Sequence, residues 1–335
     1  MCGIVGIARR DGIREPLAIL RNARDLLIHR GPDRAGEYSS DTVYLGFRRL
    51  SIIDLSPHGD QPMSDSDGNT WVVFNGEIYN FVELREELER AGHFFRGRSD
   101  TEVLLHLYMV YGEGMLEKLN GMFAIAVYDR RQRTILLGRD RMGKKPLFYW
   151  IHDGGLAFAS ELRALRALPG FPSGTDPLAL ALYLRLGWIP GWTCIHPGVA
   201  KLPPATWLRY QVQTGGVDGP HAYWDLPKIH LDEGIPVDSW LDRIQEKLWD
   251  ATRIRLRSDV PLGTFLSGGI DSSLVTAAAA GYDARNLTAM TISFPGWADN
   301  EWPLAEATAK HLGVHAVHRE LDADSASLLP RVMGH

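Results

Sequence analysis

Between about Pro203 and Val237 the pattern of this chain changes, and the change limits what either side can fold into. Beyond it, strand-like and helical stretches alternate. The run VPLGTFLS (260–267) precedes a helical stretch from Asp271 to Ala280. LTAMTISF (287–294), a helical stretch from Pro303 to Leu312, VHAVHREL (314–321) and a helical start after Asp324 follow. A βαβαβα order gives a parallel sheet with helical crossovers. Before the break the elements mix without alternation. WVVFNG (71–76), GMFAIAVYD (121–129), TILLGRD (134–140) and GLAFASE (155–161) read as strands, most of them continuously apolar. Phe81, Leu84, Leu88 and Ala91 share one helix face, which Gly92 ends. A second helix runs from about Thr101 to Tyr111, with Ser99-Asp100-Thr101-Glu102 as its capping box. That mixture predicts a layered α+β domain.

Pro203-Pro204, Gly215-Gly216, Gly219-Pro220 and Pro227 punctuate the break, which therefore reads as a linker. The expected division is a domain over 2–205, a linker over 206–237 and a second domain over 238–335. A length of 335 residues agrees with two domains at ~150 residues each. Three parallel strands make only part of a doubly wound sheet, so the second domain is expected to be incomplete as supplied. No run of 18 apolar residues is present, which excludes a helix spanning a bilayer. A net charge of −5 speaks against a nucleic-acid partner. Two cysteines, Cys2 and Cys194, do not make a disulfide framework and fit a reduced, cytoplasmic protein.

Two places carry chemistry. Cys2 follows Met1 directly, and methionine aminopeptidase removes Met1 before a small residue. The thiol and a free α-amine then share one residue, and the amine can take the thiol proton. Its unperturbed pKa of about 8 suits a base near neutrality. The second place is Ser267-Gly268-Gly269-Ile270-Asp271-Ser272-Ser273, between an apolar strand and an Ala-rich helix. Glycines let a backbone approach an anion, and serine hydroxyls with the first N–H groups of a helix bind phosphate oxygens. Single residues elsewhere have plain readings of their own. Asn75-Gly76 is a common hairpin-turn dipeptide, Asp100 fits a helix start, and Arg48 and Arg49 could be solvated charges.

Other features are set aside. Residues Gly138 to Lys144 fit most of a phosphate-loop pattern, but Lys145 stands where Ser or Thr is required and Pro146 opposes the helix. His315 and His318 fall on opposite faces of a strand and His311 on the preceding helix, so no metal site is assigned. Cys194 is given no role beyond packing.

CGIVGIA (2–8), HRGPD (29–33), RLSIID (49–54), NGEIYN (75–80), SDTE (99–102), GRDRMGKKPLFY (138–149) and ASEL (159–162) occur in this order. Together they resemble the class II glutamine amidotransferases, a branch of the N-terminal-nucleophile hydrolases, over roughly residues 2–205. The resemblance implies two antiparallel sheets between helix layers. It implies Cys2 as nucleophile, and Asn75 and Gly76 as the oxyanion hole. Arg49 is implied to hold the glutamine α-carboxylate and Asp100 the α-ammonium, with Glu77 assisting. SGGIDSS resembles the pyrophosphate loop of the ATP-pyrophosphatase family. Residues 267–273 would then hold phosphates, with Leu266 and Ile292 lining an adenine pocket.

The combination resembles glutamine-hydrolysing asparagine synthetase, a carbon–nitrogen ligase of amino-acid biosynthesis. The resemblance implies glutamine hydrolysis, then amidation of a carboxylate, aspartate in that family, activated by ATP with Mg²⁺. Ligases of the same architecture acting on another carboxylate, in polysaccharide or natural-product modification, stay open. So does a non-catalytic chain binding nucleotide and a partner, and so does a homodimer. Met142, Lys144 and Ala205 depart from the family pattern, and Ala205 stands where Gly is common. No second acidic, Gly-rich stretch follows Ser273.

Overall fold

A computed structural model describes residues 1–228, 234–294, 296, 300–321 and 327–333. The chain divides into two compact units, Met1–Lys228 and Ile229–His335.

The strands of the first unit are β1 (Gly3–Arg9), β2 (Arg34–Ser39), β3 (Val43–Arg49), β4 (Met63–Ser64), β5 (Thr70–Ile78), β6 (Gly121–Asp129), β7 (Thr134–Arg139), β8 (Phe148–His152), β9 (Gly155–Ala159), β10 (Val199–Lys201), β11 (Thr206–Gln211) and β12 (Val217–Ala222). Its helices are α1 (Leu17–Asp25), α2 (Phe81–Arg90), α3 (Asp100–Tyr111), α4 (Met115–Lys118), α5 (Leu162–Arg166) and α6 (Pro177–Leu186). They build two six-stranded sheets, ordered β10-β8-β9-β1-β3-β2 and β12-β11-β7-β6-β5-β4. Neighbouring strands run antiparallel throughout.

Side chains alternate across a strand, and the apolar residues on both faces of β1 and β6 build three cores. Ile4 and Ala8 of β1 meet Val73, Ala124 and Ala126 of the facing sheet. Val5 and Ile7 turn the other way, onto Leu20, Ala23 and Leu165 of α1 and α5. On β6, Phe123, Ile125 and Val127 pack against Leu84, Leu104 and Met115 of α2, α3 and α4. The layers are therefore helix, sheet, sheet, helix, as the resemblance implied. A strand buried on both faces reads as a continuous apolar run, which is why GMFAIAVYD shows no alternation.

Two expectations need correction. Residues from Thr206 to Ala222 are not a linker: β11 and β12 pair with each other, and β11 pairs with β7. The Gly and Pro there punctuate a hairpin, and the first unit runs to Lys228. Residues 229–233 of the expected linker lie outside the described residues. The capping box is half formed. Ser99 Oγ accepts from Glu102 N at 3.2 Å, but the Glu102 carboxylate accepts from Arg96 N and Gly97 N instead. Ala205 adopts φ 55°, the left-handed region, which accounts for the frequency of Gly at that position.

The second unit holds α7 (Val237–Arg255), β13 (Gly263–Phe265), α8 (Ile270–Asp283), β14 (Thr288–Ser293), α9 (Trp302–Leu312), β15 (His315–Glu320) and α10 (Leu329–Met333). Its three strands are parallel in the order β13-β14-β15. Its small core joins Leu266, Leu287, Ala289, Ala305 and Ala309. Asp324, the expected helical start, lies outside the described residues. Among the described residues no helix is long and apolar enough to cross a membrane.

Candidate functional site

Seven separated stretches of chain converge on one cavity of about 220 Å³ in the first unit. Its walls include Cys2, Arg49, Asn75, Gly76, Glu77 and Asp100, every residue expected for the glutamine site.

Cys2 precedes β1, and its sulfur faces the end of β3. The thiol lies 3.6 Å from Leu50 O, and Leu50 N donates to Sγ at 3.4 Å. Arg30 Nε donates to Cys2 O at 2.9 Å and fixes the backbone beside the thiol. Burial pushes the Cys2 thiol above its ordinary range, against the Leu50 N–H that lowers it. The thiolate is thus not the resting form, and a base has to act with the attack.

Asn75 and Gly76 sit inside β5, paired with Ala124 and Phe123 of β6, so they are not a hairpin turn. A Cβ on Gly76 would meet Met122 O at 2.0 Å, so only glycine fits this register. Asn75 is 0% exposed, and neither its Nδ2 nor its Oδ1 has a hydrogen-bond partner. A buried amide normally finds partners. This orphan is a donor and an acceptor held ready beside the thiol cavity.

Asp100 opens α3 and is buried; its Oδ2 accepts from Ile78 N on β5 at 3.0 Å. Burial above all, then backbone hydrogen bonds that oppose it and the nearby Glu77 that adds to it, bring its pKa to about 7. Burial likewise raises the Glu77 carboxyl, while Lys145 and the N-terminal amine lower it.

Arg48 and Arg49 are both buried rather than solvated. Arg48 donates to Gly31 O at 3.0 Å and Pro32 O at 3.4 Å. Arg49 gathers the loop over residues 53–60. One terminal nitrogen reaches Ser56 O at 3.0 Å and Asp60 Oδ1 at 2.6 Å; the other reaches Ile53 O at 3.3 Å and Asp54 O. Only its Nε–H is uncommitted, so a clamp on both carboxylate oxygens requires exchange of these loop bonds.

Sequence reasoning missed Gln61, Thr101, Met122 and Lys145 in the walls. Lys145 was in view, but as the residue that spoils a phosphate-loop pattern. That stretch is a strand end and turn knotted around Asp140, which accepts from Phe123, Met142, Lys144 and Lys145 N–H groups.

In the second unit, Leu266 through Ser273 form the turn into α8, and Leu266 N donates to Met290 O at 2.9 Å. Ile292 lies on the adjacent strand β14, where Thr291 Oγ1 donates to Leu266 O at 2.7 Å. Leu266 and Ile292 thus lie at the carboxyl ends of neighbouring parallel strands. The serines bind within the turn. Ser272 Oγ accepts from Ser267 N at 3.1 Å and lies 2.9 Å from Ser267 Oγ; Ser273 Oγ donates to Gly269 O at 2.8 Å. The first-turn N–H groups of α8, including those of Ile270 and Asp271, lack intrahelical partners and remain available to an anion. Among the described residues no three His, Cys, Asp or Glu cluster as metal ligands. His318 instead bonds Ser293 Oγ at 2.6 Å and stacks on Trp302.

Residues 1–224 match the family model of the glutamine amidotransferase domain, and residues 243–335 that of asparagine synthase. Asparagine synthetase [glutamine-hydrolyzing] 1 of Bacillus subtilis is 33% identical, across 100% of this chain and 52% of its own length. Asparagine synthetase [glutamine-hydrolyzing] 3 of the same organism is 37% identical, across 84% of this chain and 46% of its own length. Amidase chry2 of Gibberella zeae is 34% identical, across 96% and 52%. The chain spans about half the length of these curated relatives.

Proposed function

The chain belongs to the glutamine amidotransferase family, with an asparagine synthase domain following, and from that premise we propose that it hydrolyses glutamine at Cys2 to supply ammonia for ATP-dependent amidation. The observation that carries this reading is the orphaned, wholly buried amide of Asn75 in the wall that also holds the Cys2 thiol.

Removal of Met1 frees the α-amine of Cys2. The amine takes the thiol proton as sulfur attacks the glutamine δ-carbonyl. Asn75 Nδ2 and Gly76 N–H meet the oxygen as it becomes negative; one such donor is worth about 3–4 kcal/mol of barrier. The proton passes to the leaving nitrogen, ammonia departs, and water hydrolyses the thioester to glutamate. Asp100, poised near neutrality, ionises against the substrate ammonium with Glu77 beside it. Arg49 meets the α-carboxylate with its uncommitted Nε–H.

In the second unit, the turn 267–273 with the first N–H groups of α8 is the proposed seat of the ATP phosphates, with Leu266 and Ile292 at the adenine. Mg²⁺ would enter with ATP at this turn and would supply neutralisation of phosphate charge. Aspartate is the proposed acceptor, after the printed names of the Bacillus subtilis relatives. ATP would activate it as an acyl-adenylate. The Amidase chry2 match keeps another carboxylate as the second reading.

Glutamate release by the purified chain, with mass determination of the N-terminal peptide, tests the first half. Absence of glutamate release after verified removal of Met1 refutes the reading. Amide formation from ATP, ammonia and aspartate, compared with other carboxylic acids by product mass, tests the second.

A further inference from the structure

Lys145 stands in the cavity wall with Met1, Cys2, Glu77 and Met122, and it is 5% exposed. Its backbone is pinned: its N–H reaches Asp140 Oδ2 at 3.0 Å, and its carbonyl accepts from Arg139 Nε at 2.8 Å. Its ammonium, by contrast, has no ion pair or hydrogen bond among the described residues. The stem is buried while the ammonium, in the cavity wall, is desolvated enough to sit below its ordinary range, and a charge so placed acts on its neighbours more strongly than one in water. The fold holds this one beside the thiol. The charged and titratable groups that face it are Glu77 from β5, Cys2 and the Met1 amine before β1, Arg30 after α1, and Asp140 at the end of β7; the Cys2 thiol is faced as well by Asp100 from α3 and Arg49 from β3.

We propose that Lys145 is a positioning residue for the nucleophile: its ammonium disfavours a second cation at the N-terminus and favours negative charge on the Cys2 sulfur. This rests on the proposed glutamine hydrolysis. The step it serves is one proton transfer, from the thiol to the lone pair of the α-amine, giving thiolate and ammonium. That transfer needs the amine uncharged beforehand. While Met1 is in place, burial lowers its amine most, Cys2 opposes this, and Lys145 adds to the lowering; removal of Met1 moves the terminal amine one residue along, onto Cys2 in the same cavity wall. Glu77 faces the same ammonium and offsets part of its field, so the pair tunes the N-terminus rather than overwhelming it.

The test uses the Met1-processed chain with Lys145→Met, Lys145→Gln and Lys145→Arg. Two pH profiles are recorded: the rate at which iodoacetamide alkylates Cys2 without glutamine, and kcat/KM for glutamate release. Losing the cation should move the alkylation midpoint and the acid limb of kcat/KM upward by at least about half a pH unit. Lys145→Arg should keep both near the parent values. Lys145→Gln serves where Lys145→Met fails to fold. Unmoved midpoints in the neutral variants overturn the proposal. So does a raised KM with an unmoved profile, which would make Lys145 a glutamine contact. An equal shift in Lys145→Arg overturns it as well, because charge would then not be the cause. If the parent chain releases no glutamate, glutamine hydrolysis fails as a reading, while the alkylation midpoints still decide whether Lys145 tunes the thiol.

Discussion

Asn75 in the first unit is 0% exposed and has no hydrogen-bond partner, whereas Ser267, Ser272 and Ser273 of the second unit bond one another and the backbone of their own turn. The two candidate sites are prepared in opposite ways. The thiol cavity lies within the four-layered unit, and the Asn75 amide in its wall is buried without a partner, a cost that a ligand can offset. The turn before α8 lies on a three-stranded sheet and satisfies its own serine hydroxyls. A preformed site offers unpaired groups at once, while a turn bonded to itself has bonds to exchange when a ligand arrives. Mutations should therefore cost chemistry in the first unit and binding in the second.

The largest expected effect is at the nucleophile. Cys2→Ala should reduce glutamate release to background, measured by a coupled glutamate assay, and leave nucleotide binding by the second unit unchanged. Residual release within tenfold of the parent chain would remove the thiol from the reaction and dissolve the contrast. Next comes Asn75→Ala, expected to lower kcat about 10²–10³-fold with KM little changed. Because the amide bonds nothing in the free protein, the melting midpoint should hold. A large stability loss with normal kcat would make Asn75 structural.

Asp100 adds a pH signature whose sign is fixed. Its pKa of about 7 lies above the ordinary carboxylate range, so between about pH 4 and 7 the folded state binds more protons than the unfolded chain. Stability from this group is fully present at the low end and is lost as pH rises through 7. Asp100→Asn cannot ionise, so its melting midpoint relative to the parent should climb from pH 5 to pH 8. The KM for glutamine should behave oppositely. In the parent it should fall over pH 6–8 as the carboxylate forms to meet the ammonium. In Asp100→Asn it should stay flat and about tenfold or more higher. A pH-independent KM in the parent would take Asp100 out of substrate binding.

The expected site residues were legible because they lie in four of seven short motifs whose joint order is specific even though each alone is common. Their geometry was not. Asn75-Gly76 reads locally as a turn, and only pairing with β6 shows a strand that excludes a Cβ at Gly76. Arg49 could be assigned to the site from sequence, but not the loop bonds that occupy four of its five donors. Lys145 was hidden by a false pattern, since what matters is the direction of its side chain from a turn built on Asp140. The β11–β12 hairpin was misread because Gly and Pro mark hairpins and linkers alike. The alternation of the second unit was plain, because parallel strands and crossover helices differ in period.

The smallest effect separates two serines at helix starts. Ser99 Oγ caps α3 at 3.2 Å from Glu102 N, and Ser99 is buried. Ser272 Oγ, half-buried in the first turn of α8, bridges Ser267 and Gly269. Loss of a cap costs about 1 kcal/mol, so Ser99→Ala should lower the melting midpoint slightly. Asp100 keeps its bond to Ile78 N, so the KM for glutamine should hold. Ser272→Ala removes a hydroxyl whose bonds lie within a half-buried turn, at the low end of the roughly 0.5–1.5 kcal/mol that a hydrogen bond contributes, so the melting midpoint should fall less than in Ser99→Ala. ATP affinity, read by calorimetry, should fall, because the turn loses the group that shapes it around phosphate. The paired outcome is the informative one. If Ser272→Ala destabilises the chain as much as Ser99→Ala and leaves ATP affinity intact, the serine turn is a structural cap like the other, and the distinction between a prepared cavity and a ligand-shaped turn does not hold.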